Sequence, residues 1–191
     1  MTTDRRPTLR HPLLWATVAS LVVADLALKS WAFRAVPPGE VHTLAGTWLS
    51  VRCITNPGGV WGLAQDFTPV LTVIRMFAVA AMVWLVGRQP ADSRRGLATL
   101  GALLAGAVGN LYDNLSAWLP WPGNGEVRDF VQVYFAEPGW WPGFLGWPFD
   151  PWPIFNLADA LIVCGFVALL TGFAHLHVKP PSEAEDAGSR G

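Results

Sequence analysis

Four long apolar runs alternate with polar or aromatic-rich segments along this chain. A helix rises about 1.5 Å per residue, so about 20 apolar residues cross the hydrocarbon core of a bilayer. The pattern therefore predicts an all-α membrane protein, a bundle of four transmembrane helices within one domain over residues 1–175. The polar residues 176–191 are expected to form a disordered cytoplasmic tail. The predicted spans cover residues 13–33, 70–87, 96–118 and 154–174.

The first apolar run has a second interpretation, as the core of a cleaved signal peptide. Residues 22–24 (Val-Val-Ala) resemble a small-residue cleavage site. The apolar residues continue past this site to Phe33, which gives a run long enough to cross the bilayer. We therefore favour a permanent first span.

Residues 34–69 carry the signals of short strands and turns. Residues 47–54 are β-prone, and Asn56-Pro57-Gly58-Gly59 is a strong turn signal. This segment predicts a small β-sheet on the membrane surface. Asn56 could serve only the turn, since asparagine tolerates turn geometry.

A long segment before the last span, residues 120–153, is rich in Trp, Pro and Gly. Tryptophans near the end of a membrane span usually form a belt at the membrane–water interface. A lid over the site, with glycines as hinges, is a second possibility. The tryptophans of the added segments 116–125 and 137–153 are Trp118, Trp121, Trp140, Trp141, Trp147 and Trp152, and the glycines are Gly139, Gly143 and Gly146.

The positions of lysine and arginine set the expected orientation. They are more frequent in the N-terminal segment, the link at residues 88–95 and the C-terminal tail than in residues 34–69 and 120–153. By the positive-inside rule both termini are cytoplasmic, and the sheet and the long loop are extracytoplasmic.

Composition agrees with a membrane protein and narrows the function. The chain is 52% hydrophobic and 14% charged, with a mean hydropathy of +0.34. A net charge of −1 argues against a nucleic-acid partner. Cys53 and Cys164 have no metal-binding or disulfide spacing, and no histidine is placed to serve a nucleophile or a metal.

Ionisable residues inside the predicted spans are the main functional signal, because a charge in the bilayer costs at least a few kcal/mol. Asp25 and Lys29 are four residues apart and lie on one face of the helix. They form either a structural ion pair, with Lys29 reaching outward to the interface, or part of a functional site. At about 1.5 Å per residue, Asp25, Asn110, Asp113 and Asp159 all lie roughly 18 to 25 Å from the cytoplasmic end. One shared polar site near the outer leaflet accounts for this common depth.

Asp129, just before the last span on the same side, is the expected partner of Asp159. Two close carboxylates with little water around them cannot both ionise cheaply, so the pair keeps one proton. One carboxylate can then activate a water while the other protonates a carbonyl or a leaving amine, as in aspartic proteases.

Five motifs in this order resemble the signal peptidase II family, the bacterial lipoprotein signal peptidases. They are Asp25 with Lys29; Asn56-Pro57-Gly58-Gly59-Val60-Trp61; residues 105–113 (AGAVGNLYD); Val127-Arg128-Asp129-Phe130-Val131; and Phe155-Asn156-Leu157-Ala158-Asp159. Each motif alone is weak, but five in the family's order on four spans are specific.

The resemblance implies an aspartyl endopeptidase that needs no cofactor or metal. It would work as a monomer in the bacterial inner membrane, with a small extracytoplasmic sheet as a cradle beside the spans. Its partners would be membrane lipid and prolipoproteins, whose signal peptide it would cut just before a diacylglyceryl-modified cysteine. Asp129 and Asp159 match the catalytic pair. The matching substrate-positioning and supporting residues are Asp25, Lys29, Asn56, Asn110, Asp113 and Asn156.

The chain also departs from the family pattern. Asn114 stands where the family usually has an arginine, which leaves the neighbouring carboxylates without one favourable charge. We hypothesise that Arg128 supplies it. Pro57 and Val60 are atypical in their motif, and residues 116–125 and 137–153 are longer than the family needs.

Two other function classes remain open at this point. A non-catalytic relative that binds lipidated peptides would explain Asn114 and the long loops, although both aspartates of the pair are kept. A small carrier or proton pathway could use Asp25, Lys29 and Asp113, but the chain has no internal repeat of the kind that many transporters show.

Overall fold

The computed structural model describes residues 11–58, 68–90, 92–135 and 151–176. Val60, Trp61, Trp140, Trp141, Trp147, the three proposed hinge glycines and residues 177–191 of the C-terminal tail lie outside this part of the chain. Within it, helices and a small sheet occur in the order α1, β1, β2, α2, α3, β3, α4.

Four helices occupy the predicted apolar runs: α1 (Pro12–Ala35), α2 (Thr68–Arg88), α3 (Arg94–Leu115) and α4 (Leu157–Leu170). Both α1 and α2 are long and apolar enough to cross a membrane, whereas α4 is a shorter apolar helix. α4 begins later than residue 154 because Asn156 caps its first turn. It ends at Leu170, before the predicted residue 174, because a turn follows at Gly172, whose φ of 71° suits glycine.

α3 is the centre of the bundle. Fifteen of its 22 residues are buried, against two of 21 in α2. Small residues permit this, because a Cβ on Gly106 would lie 2.4 Å from the carbonyl oxygen of Ala158 in α4. A Cβ on Gly109 would lie 2.6 Å from the Asp25 carboxylate in α1. The glycines of α3 therefore let α1 and α4 approach it closely.

The outer faces of the other helices are apolar and exposed. A soluble protein rarely shows large contiguous apolar surfaces, so these faces suit contact with lipid. The residues include Leu13, Val23, Leu28 and Trp31 of α1, Val70, Ile74 and Phe77 of α2, and Val163, Phe166 and Leu170 of α4.

A three-stranded antiparallel sheet of order β1-β2-β3 lies at one end of the helices. Its strands are β1 (His42–Ala45), β2 (Leu49–Asn56) and β3 (Val127–Val133). The sequence predicted a sheet within residues 34–69 and missed β3. Val131 pairs with Val51 in β2 and, on its other side, forms an isolated bridge to Phe155.

The sheet is fixed to the end of α1 by a small apolar cluster. Ala32, Val36, Val51 and Phe130 are almost fully buried against one another. Because Asp129 is adjacent to Phe130 in β3, this packing also sets the position of the Asp129 side chain at the top of the bundle.

Candidate active site

Asp129 lies in the middle of β3 and is 1% exposed. The register of the sheet brings it beside the end of β2, where Ile54 is its partner and Asn56 follows two residues later. The Asn56 side-chain amide donates to Asp129 Oδ2 at 3.1 Å, and the Asn156 amide donates to Oδ1 at 2.6 Å. Each oxygen of this carboxylate therefore receives a hydrogen bond from an asparagine.

Asp159 lies in the first turn of α4 and is half-buried. The Asn110 amide donates to Asp159 Oδ1 at 2.8 Å, and the backbone N–H of Asn156 donates to Oδ2 at 3.1 Å. A carboxylate at a helix N-terminus is also stabilised by the helix dipole.

Asn156 connects the two carboxylates. Its side-chain oxygen accepts from the backbone N–H of Asp159 at 2.9 Å, which completes a capping box at the start of α4. Its amide nitrogen donates to Asp129 and, at 3.1 Å, to the side-chain oxygen of Asn110. One side chain thus begins a helix and holds both aspartates at the same place.

Asn56 has a role in the turn and a role at the site. Its side-chain oxygen accepts from the backbone N–H of Gly58 at 3.0 Å, while its nitrogen reaches Asp129. The turn after β2 therefore orients the amide that binds the Asp129 carboxylate. Asn56 both stabilises the turn and supports the site.

Burial, and after it the charge of nearby Asp159, raises the pKa of Asp129 to about 7. The hydrogen bonds from Asn56 and Asn156 and the charge of Lys29 oppose this rise because they favour the ionised form. Asp129 is consequently a carboxyl group that can hold a proton near neutral pH.

Lys29 joins α1 to α3 beneath the two aspartates. Its ammonium group lies 2.8 Å from Asp25 Oδ2 and 3.0 Å from Asp113 Oδ2, and it donates to Asn110 Oδ1 at 3.0 Å. The side chain is fully buried, which fits the alternative in which Lys29 is part of the site and not the one in which it reaches outward. The ammonium turns inward because two carboxylates and an amide oxygen satisfy it there. Asp25 in turn accepts from the backbone N–H of Ala158 at 2.9 Å, which ties α1 to α4.

Asp113 joins α3 to β3 through Arg128. Its Oδ1 accepts from Arg128 Nε at 2.9 Å and lies 2.7 Å from a terminal guanidinium nitrogen, while Oδ2 accepts from the Arg128 backbone N–H at 3.2 Å. Arg128 thus supplies a cation to Asp113. Asp113 is followed by Asn114, which stands where the family usually has an arginine. Arg128 precedes Asp129 in the chain, but its guanidinium contacts Asp113.

Arg75 is a site residue that the sequence reasoning missed. Its guanidinium donates a hydrogen bond to the side-chain oxygen of Asn114, and it interacts electrostatically with Asp113, Asp129 and Asp159. Asn114 itself is 1% exposed and donates to the backbone oxygen of Gly125 at 2.7 Å. The signal was available, because Arg75 is a charge inside an apolar run, the same signal that singled out Asp159.

The structure therefore brings all nine sequence-predicted site residues into one hydrogen-bonded network from α1, β2, α3, β3 and α4. In the described ranges, no group of three His, Cys, Asp or Glu side chains is arranged to hold a metal ion. Of the loop tryptophans in this part of the chain, Trp121 stacks on Tyr112 and Trp152 packs edge-on against Phe135.

Comparisons with known proteins show which family the chain resembles. Residues 17–174 match the model of a family described as signal peptidase (SPase) II. The chain is 32% identical over 165 residues to a lipoprotein signal peptidase of Mycobacterium avium (strain 104), covering 86% of this chain and 80% of that protein. It is 35% identical over 161 residues to one of Rhodococcus jostii (strain RHA1), covering 84% and 72%.

Two solved structures share the fold. Both are described as bacterial membrane enzymes. One superposes with a TM-score of 0.68 at 19% identity, covering 95% of this chain and 93% of that one. The other gives a TM-score of 0.69 at 19% identity, covering 91% and 97%.

Proposed function

The chain belongs to the signal peptidase II family, and from this premise we propose that it is a membrane-embedded aspartyl endopeptidase that cleaves lipoprotein signal peptides. Its substrates are prolipoproteins that carry a diacylglyceryl group on a cysteine, and the cut is made on the N-terminal side of that cysteine. Asp129 and Asp159 are the catalytic pair.

The observation that carries this proposal is the shared support of two carboxylates at the end of the bundle where the sheet lies. Asn56, Asn110 and Asn156 give each of the four carboxylate oxygens a single side-chain or backbone hydrogen bond. A carboxylate oxygen has two lone pairs, so positions remain for a proton and for a water. Such a pair is what hydrolysis by general acid and general base requires.

The chemistry follows from the different surroundings of the two groups. The pair shares one proton, and in the proposed cycle that proton starts on Asp129, which is buried with a raised pKa, while Asp159 at the helix N-terminus starts ionised. Asp159 takes a proton from water as the water oxygen bonds to the scissile carbonyl carbon, and Asp129 protonates the carbonyl oxygen. Asp159 then gives its proton to the amide nitrogen as the C–N bond breaks. Asp129 recovers its proton from a hydroxyl of the tetrahedral intermediate, which restores the pair.

The remaining residues position this pair. Asp25 and Lys29 hold α1 against α3 and α4, and Asp113 with Arg128 holds β3 against α3. The lipid chains of the substrate stay in the bilayer against the apolar outer faces, while the peptide reaches the carboxylates near the surface. In this arrangement all four helices span the inner membrane, both termini are cytoplasmic and the sheet is extracytoplasmic.

The test is cleavage of a diacylglyceryl-modified prolipoprotein by the purified chain in lipid, beside Asp129→Asn and Asp159→Asn. We expect the parent to cut before the lipidated cysteine, and both variants to lose at least about 1,000-fold in rate, because neither half of the acid–base pair works alone. An unmodified prolipoprotein is the substrate control. Thermal unfolding of each variant confirms that it is folded.

The result also separates the alternatives. A parent that binds the lipidated substrate without cutting it would make the chain a binding relative. Proton flux through reconstituted vesicles that Asp25→Asn abolishes would make it a carrier. Either result would overturn the peptidase assignment for this chain.

A further inference from the structure

Arg75 is a charged residue within the apolar helix α2, whose other charged residue, Arg88, is at the helix end, and the Arg75 side chain does not extend towards water. It lies seven residues into α2, about 10 Å from the start of the helix. It shares the inward-facing stripe with Thr72, Val79 and Val86, which face the core next to α3. Arginines near helix ends usually extend to the interface. This one instead donates to Asn114 in α3.

The charges of the described network explain what Arg75 faces. Lys29 contacts Asp25 and Asp113, and Arg128 contacts Asp113. These two cations together match the two carboxylates that they contact. The remaining carboxylates of the network are Asp129 and Asp159, which together carry a single negative charge when they share one proton.

Arg75 supplies the opposite charge. It interacts electrostatically most with Asp159 and less with Asp129, and it comes from α2, the helix that contributes no other residue to the network described above. With Arg75 included, three cations face four carboxylates, which is neutral only when one carboxylate is protonated.

We propose that Arg75 is the counter-ion of the Asp129–Asp159 pair, a positioning residue that keeps the pair in its singly protonated form. Asn114 holds the guanidinium in this place by its side-chain oxygen, while its amide is fixed by Gly125. The hydrogen bond uses one of five guanidinium donors, so the charge stays near the pair without a rigid ion pair to either carboxylate. The inference rests on the proposed function for its kinetic consequence, but the charge balance does not.

The test uses Arg75→Gln, which removes the charge, and Arg75→Lys, which keeps it. Arg52→Gln is the matched control, because Arg52 is exposed on β2 and its loss changes the net charge equally. The rate of cleavage, as kcat/KM, is measured against pH for each protein. The charged groups that face the pair and stay in place are Asp25, Lys29, Asp113 and Arg128.

We expect the acid limb of the Arg75→Gln profile to move to higher pH by roughly one unit, because the ionised pair loses a favourable charge. Arg75→Lys keeps the acid limb of the parent, and Arg52→Gln keeps the whole profile. A uniform loss of rate in Arg75→Gln without a shift would overturn the proposal and leave Arg75 a purely structural residue. A shift that Arg75→Lys shares in full would overturn it as well.

A second measurement keeps the inference separate from the proposed function. Infrared difference spectra follow the band of the protonated carboxyl group as pH rises, and Asp129→Asn identifies that band. In Arg75→Gln the band should persist to higher pH by a similar amount, whether or not the parent cuts the lipoprotein substrate. Coincident titrations in the parent and Arg75→Gln would contradict the counter-ion role. Loss of cleavage in the parent with a shifted band would contradict only the peptidase assignment.

Discussion

At the scale of single residues, the chemistry depends on how asparagines divide their hydrogen bonds. Asn56, Asn110 and Asn156 each have a donor end on an aspartate and an acceptor end on another part of the fold. An amide can orient a carboxylate without adding a charge. The asparagines therefore fix the geometry of the pair, and its charge is set by the cations around it.

The pH profile should report the bond from Asn56 to Asp129. This bond favours ionised Asp129 and so opposes the rise of its pKa, which stands at about 7. Without the bond, Asp129 keeps its proton to higher pH, and the mechanism needs that proton. In Asn56→Ala we expect the alkaline limb of kcat/KM to move up by roughly half a pH unit or more.

Thr55→Ala, at the exposed neighbouring position in β2, is the control and should leave the limb in place. The measurement is the same lipoprotein cleavage assay over a pH series. An alkaline limb that moves to lower pH in Asn56→Ala would show that Asp129 is not the group that carries the essential proton.

At the scale of elements, α4 begins at the residue that binds Asp129, so the start of the helix and the proposed reaction depend on the same side chain. Asn156→Ser keeps an N-cap oxygen but is too short to reach Asp129, whereas Asn156→Ala loses both. We expect Asn156→Ser to unfold at nearly the temperature of the parent and Asn156→Ala to lose about 1 kcal/mol of stability. Cleavage should fall by about 100-fold in both.

Thermal unfolding and cleavage rates, measured on the same preparations, check this separation. Should Asn156→Ser cleave at the rate of the parent, the bond to Asp129 would have no part in the reaction. A lower unfolding temperature in Asn156→Ser, equal to that of Asn156→Ala, would show that the two roles cannot be separated.

The packing of α3 makes a second prediction at this scale. A methyl group on Gly106 would meet the backbone of Ala158 in α4, which cannot move aside, whereas a methyl group on Gly101 would meet the flexible end of Leu14 at 3.1 Å. Gly106→Ala should cost about 1 to 3 kcal/mol, since overpacking forces the backbone apart. It should also slow cleavage, because Asp159 moves with α4.

Gly101→Ala is the matched control on the same helix. Alanine favours the helix over glycine by about 1 kcal/mol, so this variant should be as stable as the parent or slightly more stable. Chemical unfolding in detergent measures both variants. Equal stability of Gly106→Ala and Gly101→Ala would contradict the close approach of α3 to α4.

The sequence predicted the positions of the helices but missed strand β3 of the sheet. It predicted the aspartates and asparagines of the site but missed the cation Arg75. Apolar runs identify membrane helices because lipid permits few alternatives, and the common depth of Asp25, Asn110 and Asp159 followed from helix rise alone. β3 was missed because a strand that pairs over 70 residues away leaves no local turn signal. Arg75 was missed as a site residue, since its contact with Asn114 depends on how α2 packs on α3.

At the scale of the whole molecule, the loops on the two sides of the helices should face different compartments. Glu40 lies between α1 and β1, and Asp92 lies between α2 and α3, both exposed. In a chain whose two native cysteines are replaced, Glu40→Cys should react with a membrane-impermeant maleimide added to intact cells, and Asp92→Cys should react only after the cells are opened. The reason is that α2 separates the two loops and the arginines flanking Asp92 stay on the cytoplasmic side.

This labelling also decides where the reaction takes place. The Asp129–Asp159 pair lies on the side of the sheet, because β3 carries Asp129 and bridges to Phe155 just before α4. Labelling of Glu40→Cys from outside therefore places the pair at the outer leaflet, where a secreted lipoprotein precursor presents its modified cysteine. Labelling of Asp92→Cys from outside instead would invert the chain, and the pair would then face the cytoplasm, where it could not act on a precursor that has already crossed the membrane.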